Sequence, residues 1–539
     1  MKKRIADEYQ TLSLSEQIKL RPDTYIGSLT KHNIESWVCD KDSWNCTKRQ
    51  ISYVPAFIKC FDEVLTNASD HATRPNTNVT EIRVYTQSPN KIIVKNNGSG
   101  IPVEIHEDKN LILPEVIFGH LLSSKNFDDS EERYGAGRNG YGAKLTNIFS
   151  SSFKVQTCEN KKKYEGLWTN NMSNLEHSIV SKATKKDETG TIVDFTIDAK
   201  RFGYDSDILD EDHVALIKRR LIDVAAYCVE RVSKGFKVYF NDSLIPVHSF
   251  ENWIELFLKK DSPKYIEKVN DNYYIAVSVS DNDIFDTLSV VNGNTCHTGG
   301  LHVNFIVDQV IKGIQNKLHK KISDLPIRST DIKGRMLIFS LCAIPNPSFS
   351  TQTKEFCITD ISKHENAPNL SEKSIKKIID QSGILSKIEE LIDSKKQKEL
   401  SKLNFKKHGK PKIDKLEDAI KAGSKESHKC ALIITEGDSA KSTAMSGLSV
   451  VGREYFGVYP LRGKINNVRK TKLSKILSSN DSEIPVIITT LGLTPGKKYN
   501  TPEAMSELRY GSVILFTDQD HDGTHIKCLL VNFFHWLFP

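Results

Sequence analysis

YGAGRNGYGAK, running from Tyr134 to Lys144, places four glycines (Gly135, Gly137, Gly140 and Gly142) within eight positions. Such density removes Cβ atoms, opens the φ > 0 region and lets backbone N–H groups come close to a ligand. The residues that follow, KLTNIFSSSFKV, suit a helix start that runs on into a strand. Unpaired amides at a helix N-terminus, reinforced by the helix dipole, cradle an anion such as phosphate. Arg138 and Lys144 add cations to the loop. No Walker pattern G-x-x-x-x-G-K-[ST] occurs here, and no Rossmann fingerprint follows a strand. A glycine-rich loop alone is equally a surface turn, so its meaning depends on matching parts elsewhere.

Upstream, YVPAFIKCFDEVLTNASDHA repeats apolar residues (Phe57, Ile58, Phe61, Val64, Leu65, Ala68) at helical spacing and predicts an amphipathic helix. Glu63 and Asn67, four apart, share one face of it. A carboxylate and an amide so placed can hold a water and a hydrated Mg²⁺, the carboxylate acting as general base; they also suit an ordinary polar face. EIRVYTQSPNKIIVKNNGSGIP then reads as a β-hairpin turning at Ser88-Pro89-Asn90 and closing in the cluster Asn96-Asn97-Gly98-Ser99-Gly100. An Asn side chain at the end of a strand can both donate to and accept from an adenine edge.

In their order and spacing, the E-x-x-x-N helix, the N-x-G-x-G turn and the glycine-rich lid resemble the GHKL (Bergerat) ATPase fold. RPDTYIGS, DEVLTNASDH, NNGSGIPVEIH, LLSSKNFDD and GRNGYGAKLTNIFS are similar in wording to the ATPase domain of eukaryotic-type type IIA DNA topoisomerases. That resemblance implies ATP and Mg²⁺ as cofactors, with Glu63 activating water, Asn67 holding Mg²⁺ and Asn97 beside the adenine. It assigns sugar and phosphate contacts to Ser124 and Asn126; Lys125 between them departs from the small polar residue usual there. Gly137, Arg138, Asn139, Gly140, Tyr141, Gly142, Ala143 and Lys144 would wrap the triphosphate. Tyr9 falls where the family swaps an N-terminal arm onto a second subunit, which implies a homodimer through the ATPase domain.

The chain has 539 residues, enough for three or four domains. Hydrophobic residues at 38% and charged residues at 27% describe a globular protein with sizeable cores, and a net charge of +7 is compatible with nucleic acid without pointing to it. Ten cysteines without a C-x-x-C pair, and no secretory signal at the start, favour free thiols and an intracellular setting: the nucleus for a eukaryotic protein, the host-cell interior for a viral one. The apolar CLLVNFFHWLFP is too short for a bilayer, so no membrane partner is expected.

Beyond the helix HVALIKRRLIDVAAYCVERV the character becomes β-rich near FKVYFNDSLIPV. The expected division is an ATPase domain over 1–240, a second domain over 241–402, a basic linker over 403–428 and a final domain over 429–539. In the family the second domain is the transducer, of ribosomal-protein-S5-like fold, whose Q-T-K loop corresponds to Gln352, Thr353 and Lys354. Lys354 would meet the γ-phosphate and report hydrolysis, since its charge-assisted hydrogen bond ends when phosphate leaves. His297 and His302 lack zinc-ligand spacing and read as structural. Lys395 to Lys415 holds nine lysines against two acids, a solvated linker or a non-specific phosphate contact.

CALIITEGDSAKSTA and GSVILFTDQDHDGTHI each read as a buried strand ending in acids: Glu436 in the first, Asp518, Asp520 and Asp522 in the second. Carboxylates at two strand ends are hard-oxygen Mg²⁺ chemistry; the D-x-D-x-D-G run is not an EF-hand, since no x₅-Glu follows Gly523. EGDSA, PLRGKINNV and TDQDHDG resemble the α/β TOPRIM domain of the same family, whose metals serve DNA cleavage. Glu436, Asp518 and Asp520 would be ligands with Asp522 secondary, and Lys464 and Asn467 would touch DNA. The family's nucleophilic tyrosine belongs downstream of TOPRIM; Tyr510 has the wrong neighbours for it. The expected partners are therefore double-stranded DNA and a tyrosine-bearing topoisomerase subunit or C-terminal part. Two rival readings are a GHKL clamp or chaperone, which carries no TOPRIM acids, and an inactive ATP-binding fragment.

Overall fold

The computed structural model describes residues 11–88, 90–123, 132–137, 140–184, 187–205, 207–322, 327–402, 413–469, 483–494 and 497–538. The chain divides into two compact units, Met1–Lys317 with Arg328–Lys387 and Leu318–Ile327 with Ile388–Pro539.

In the first unit PAFIKCFDEVLTNASDHA forms helix α1 (Pro55–Ala72). Proline in its first turn costs no hydrogen bond, because that N–H has no intrahelical acceptor. Phe57, Phe61 and Leu65 are fully buried along one stripe, each contributing roughly 1.5–3 kcal/mol of transfer free energy. Two further helices, α2 (Gly142–Ile148) and α3 (Glu211–Arg231), pack against α1. Asp210 caps α3 by accepting from the His213 N–H, satisfying one of the orphan donors of the first turn.

These helices accompany an eight-stranded sheet. In chain order its strands are β1 (Glu81–Gln87), β2 (Lys91–Asn97), β3 (Ser150–Glu159), β4 (Lys162–Thr169), β5 (Asn174–Lys182), β6 (Gly190–Ile197), β7 (Lys237–Phe240) and β8 (Ser243–Leu244). They lie in the order β8-β7-β1-β2-β6-β3-β4-β5. β1 and β2 form the expected antiparallel hairpin, with Val84 opposite Val94. A five-stranded sheet follows: β9 (Lys264–Asn270), β10 (Tyr273–Val279), β11 (Asp286–Val291), β12 (Asn294–Thr295) and β13 (Met336–Cys342), ordered β9-β10-β13-β11-β12. β11 and β13 run parallel, and the segment joining them contains helix α4 (Leu301–Ile322). A parallel pair demands such a crossover. One apolar core runs from Phe153 and Phe195 to Trp253, Leu288 and Phe339, so both sheets of this unit share it.

The second unit holds a parallel sheet of β14 (Ala431–Glu436), β15 (Phe456–Leu461) and β16 (Ser512–Phe516), ordered β15-β14-β16, with helices α5 (Gly437–Val451) and α6 (His521–Leu537). Two expectations need correction here. GSVILF, read as a buried strand, lies at a sheet edge among the described strands, and its alternate residues Ile514 and Phe516 are exposed because one face of it is uncovered. The linker expected over 403–428 is packed against the sheet in part of its described stretch. Glu417 and Val458 exchange backbone hydrogen bonds of 2.9 and 2.8 Å, and Ala419 and Ala422 enter the core. The small side chains of Ala419 and Ala422 let this charged segment lie against the sheet. Residues 403–412 of that stretch lie outside the described residues. All ten cysteines are free, and no described helix is long and apolar enough to cross a membrane.

Candidate active site

A cavity of about 930 Å³ opens in the first unit, lined by Glu63, Asn67, Asn96, Gly137, Lys144 and Lys354 among others. Gly140, Tyr141, Gly142, Ala143 and Gln352 also face it. Its lining combines apolar side chains (Val94, Ile101, Val116, Phe118, Val193) with the glycine-rich loop and the ammonium groups of Lys144 and Lys354. That combination fits a nucleotide, with its base against the apolar side chains and its phosphates against the donors.

The donors begin where α2 starts. Tyr141 offers the helix no side-chain cap, and the first-turn amides of a helix have no intrahelical acceptor. Gly142 is dictated by packing: a Cβ there would come within 2.5 Å of Glu63 Oε2. Lys144 is buried and donates to the Ser123 and Gly140 carbonyls at 2.6 and 2.8 Å. Burial lowers its ammonium to about 8.

Glu63 is only 5% exposed. Its Oε1 lies 2.7 Å from Lys59 Nζ, one helical turn earlier on α1. Burial pushes the carboxyl up, but Lys354 and Lys59 outweigh it and hold Glu63 below its ordinary value. Lys354 reaches the same place from the loop after β13, in a left-handed backbone conformation (φ 61°). The neighbouring Asp62 is gripped by Arg220 of α3 at 2.6 Å. Although burial opposes ionisation, Arg220, Lys59 and Lys354 hold Asp62 down at about 2. Arg220 also donates to the Gly293 carbonyl and Thr295 Oγ1, both at 3.0 Å.

Several site residues depart from the sequence-based expectation. Asn97 does not line the cavity: its Oδ1 accepts from the Thr80 and Glu81 amides at 2.9 and 3.0 Å, and its Nδ2 donates to Thr80 Oγ1 at 2.7 Å. Asn96 lines it instead, on the same strand face as Val94, because side chains alternate along β2. Asp70 is a site residue that the motifs do not single out. It takes the Ala136 and Gly137 amides at 3.0 and 2.9 Å and so ties the glycine-rich segment to α1. Burial raises its carboxyl despite these bonds. Its place three residues after Asn67 is a visible cue, but the loop it grips is not. Thr353 is not among the lining residues, and its hydroxyl pairs with Thr351 at 2.7 Å. Ser124, Lys125, Asn126, Arg138, Asn139 and Tyr9 lie outside the described residues. His302 is structural as expected, buried with Nε2 2.6 Å from Ser289 Oγ and pushed by burial to about 3.

In the second unit Glu436 ends β14, and its Oε2 accepts from the Asp518 amide at 3.3 Å, just past β16. Asp520 caps α6 by accepting from the Gly523 N–H at 2.7 Å. Asp522 pairs with Lys464 at 2.8 Å, and that contact lowers its carboxyl. The acids therefore share one end of the sheet, an all-oxygen donor set of the kind Mg²⁺ prefers. Among the described residues no three metal-ligating side chains converge on one point. Asn467 accepts from the Arg469 amide and from Asn532 Nδ2, at 3.1 and 3.2 Å. Tyr510 is buried, donates to Asp418 at 2.5 Å and is pushed far up by burial, which suits no nucleophile.

Three family models match the chain in sequence: a histidine kinase-, DNA gyrase B- and HSP90-like ATPase over residues 54–201, DNA gyrase B over 239–408 and a Toprim domain over 431–538. The DNA topoisomerase 2 of Arabidopsis thaliana is 41% identical over the whole chain, and that of Saccharomyces cerevisiae 39% identical over 99% of it. The chain spans 36% and 38% of the length of these two relatives. Among solved structures, the ATPase region of S. cerevisiae topoisomerase II bound to dexrazoxane aligns over its entire length and 72% of this chain, at 36% identity and a TM-score of 0.66. The ATPase and transducer domains of topoisomerase II from Balamuthia mandrillaris align over 99% of their length and 73% of this chain, at 34% identity and a TM-score of 0.68.

Proposed function

This chain belongs to the type IIA DNA topoisomerases, and we propose that it is the ATP-hydrolysing and Toprim portion of an enzyme that passes one DNA duplex through a break in another. The observation that carries the reading is Glu63, a buried carboxylate with Lys59 at one oxygen and the N-terminus of α2 at the other. In this reading Glu63 takes the proton of the attacking water, and Asn67 holds the Mg²⁺ that accompanies ATP. Asn96, in place of Asn97, faces the adenine. The segment from Gly137 to Lys144 wraps the phosphates, and Gln352 and Lys354 contact the γ-phosphate. Lys354 is then the group whose pairing changes when phosphate leaves.

ATP dimerises two copies through this domain, and the pair captures double-stranded DNA in the compartment where that DNA lies. Glu436, Asp518 and Asp520 would hold Mg²⁺ at the second centre, where the ion offsets charge on the scissile phosphate and the leaving 3′ oxygen. Asp522 serves Lys464, and Lys464 meets the DNA backbone. The attacking tyrosine comes from a further part or subunit. The test is steady-state ATP hydrolysis with and without duplex DNA, in the wild type and in Glu63→Ala. DNA should stimulate the wild type; the variant should lose turnover while still dimerising on a non-hydrolysable ATP analogue. Turnover that survives in Glu63→Ala would sink the reading.

A further inference from the structure

Glu63 does not stand alone in the cavity, and its surroundings divide unequally between its two oxygens. Oε1 is taken by Lys59 Nζ at 2.7 Å, whereas Oε2 lies where a Cβ on Gly142 would be 2.5 Å away, at the start of α2. Lys59 is as buried as its partner. Among the described residues the charged groups around the pair are Asp62, Arg220 and Lys354. Asp62 lies 3.7 Å from Lys59, but its other oxygen is held by Arg220 at 2.6 Å, and Arg220 is anchored in turn by Gly293 and Thr295. Arg220 is thus the main counter-charge of Asp62, and Lys59, 3.7 Å from Asp62, lies closer to Glu63, at 2.7 Å.

We propose that Lys59 is a positioning residue for ATP hydrolysis: it holds one oxygen of Glu63 so that the other stays aimed at the start of α2. Two geometric facts carry this. Lys59 and Glu63 sit one turn apart on the same helix, so their relation survives any movement of the glycine-rich lid. Lys354 arrives on a separate loop, and in the function proposed for it turns to phosphate when ATP binds. The cation that stays with the carboxylate throughout the cycle is then Lys59. A buried carboxylate stripped of its partner rotates or takes up a proton, and a displacement of about 1 Å at a reacting group costs on the order of a hundredfold in rate.

The inference rests on Glu63 being the base, so its experiment separates the two. Lys59→Met, Lys59→Arg and Glu63→Gln are made in the full chain and assayed for kcat, KM for ATP and dimerisation on a non-hydrolysable analogue. Lys59→Met should lose about ten- to hundredfold in kcat with KM within about twofold and dimerisation intact, and Lys59→Arg should recover most of the loss. A fully active Lys59→Met beside an inactive Glu63→Gln overturns this proposal alone; an active Glu63→Gln overturns the base assignment and this proposal with it. Equal losses in the Met and Arg variants indicate a space-filling role and also overturn it. Should Lys59→Met fail to fold, the double variant Lys59→Met/Glu63→Gln decides. Recovery of stability on removing both charges is expected, and its absence refutes the pairing.

Discussion

The two acidic centres of this chain solve opposite problems. In the ATP cavity, Glu63 and Asp62 are enclosed among cations on the protein itself: Lys59, Arg220 and Lys354. At the end of β14 and β16 the acids lie partly or fully open to solvent, and Lys464 is paired with Asp522 rather than with Glu436 or Asp518. A buried carboxylate must bring its counter-charge with it, because water cannot screen it. An exposed cluster can leave its charge for a divalent ion to neutralise. The first centre therefore carries its counter-charges within the fold, whereas the second lies open to solvent.

Four measurements break or sharpen that contrast, in falling order of effect. Glu63→Ala should lower the rate of ATP turnover by roughly a thousandfold, whereas Glu436→Ala should leave ATP turnover by this chain unchanged. Phosphate release reads both, and a large effect of Glu436 would mean that the centres are not chemically separate. Asn96→Ala should weaken nucleotide binding by about tenfold or more, the cost of one buried hydrogen bond. Asn97→Ala, which removes only bonds to Thr80 and Glu81, should leave affinity unchanged; calorimetric titration distinguishes them.

The third is a pH dependence. Burial disfavours the charge of Lys144 and lowers its ammonium to about 8. A bound polyanion favours the charged form, so binding takes up a proton. Affinity is constant below about 8 and falls as pH rises through it, by about fivefold between pH 8 and 9. A flat profile would show that Lys144 stays charged before nucleotide binds. The smallest effect belongs to the open centre. Mg²⁺ should raise the melting temperature of the second unit by about 2–4 °C, and Glu436→Gln should abolish the rise.

Much of the first centre is legible in the sequence. The E-x-x-x-N pair and the glycine-rich loop are local patterns, and local spacing on a helix fixes which side chains share a face. The choice between Asn96 and Asn97 is not legible, since it depends on the parity of β2, and a shift of one residue moves a side chain to the other face. Asp70 is hidden because its partners, Ala136 and Gly137, lie 66 and 67 positions downstream and meet it only in the folded chain. The role of Lys59 is hidden for a related reason. A lysine one turn before a glutamate reads as a surface pair until the fold buries both. In the second unit the strand-end acids are readable from apolar runs ending in carboxylates. That part of 413–428 packs against β15 is not, because a short, highly charged segment reads as linker until its two alanines are seen in the core.

One guanidinium has a mechanical consequence. Arg220 holds Asp62 on the helix that carries Glu63 and donates as well to Gly293 and Thr295, at the turn into β12. Helix and turn are thereby riveted into a single lever arm. A substitution that removes the guanidinium, such as Arg220→Met, would release α1 from that turn and leave the half-buried Asp62 without its nearest counter-charge.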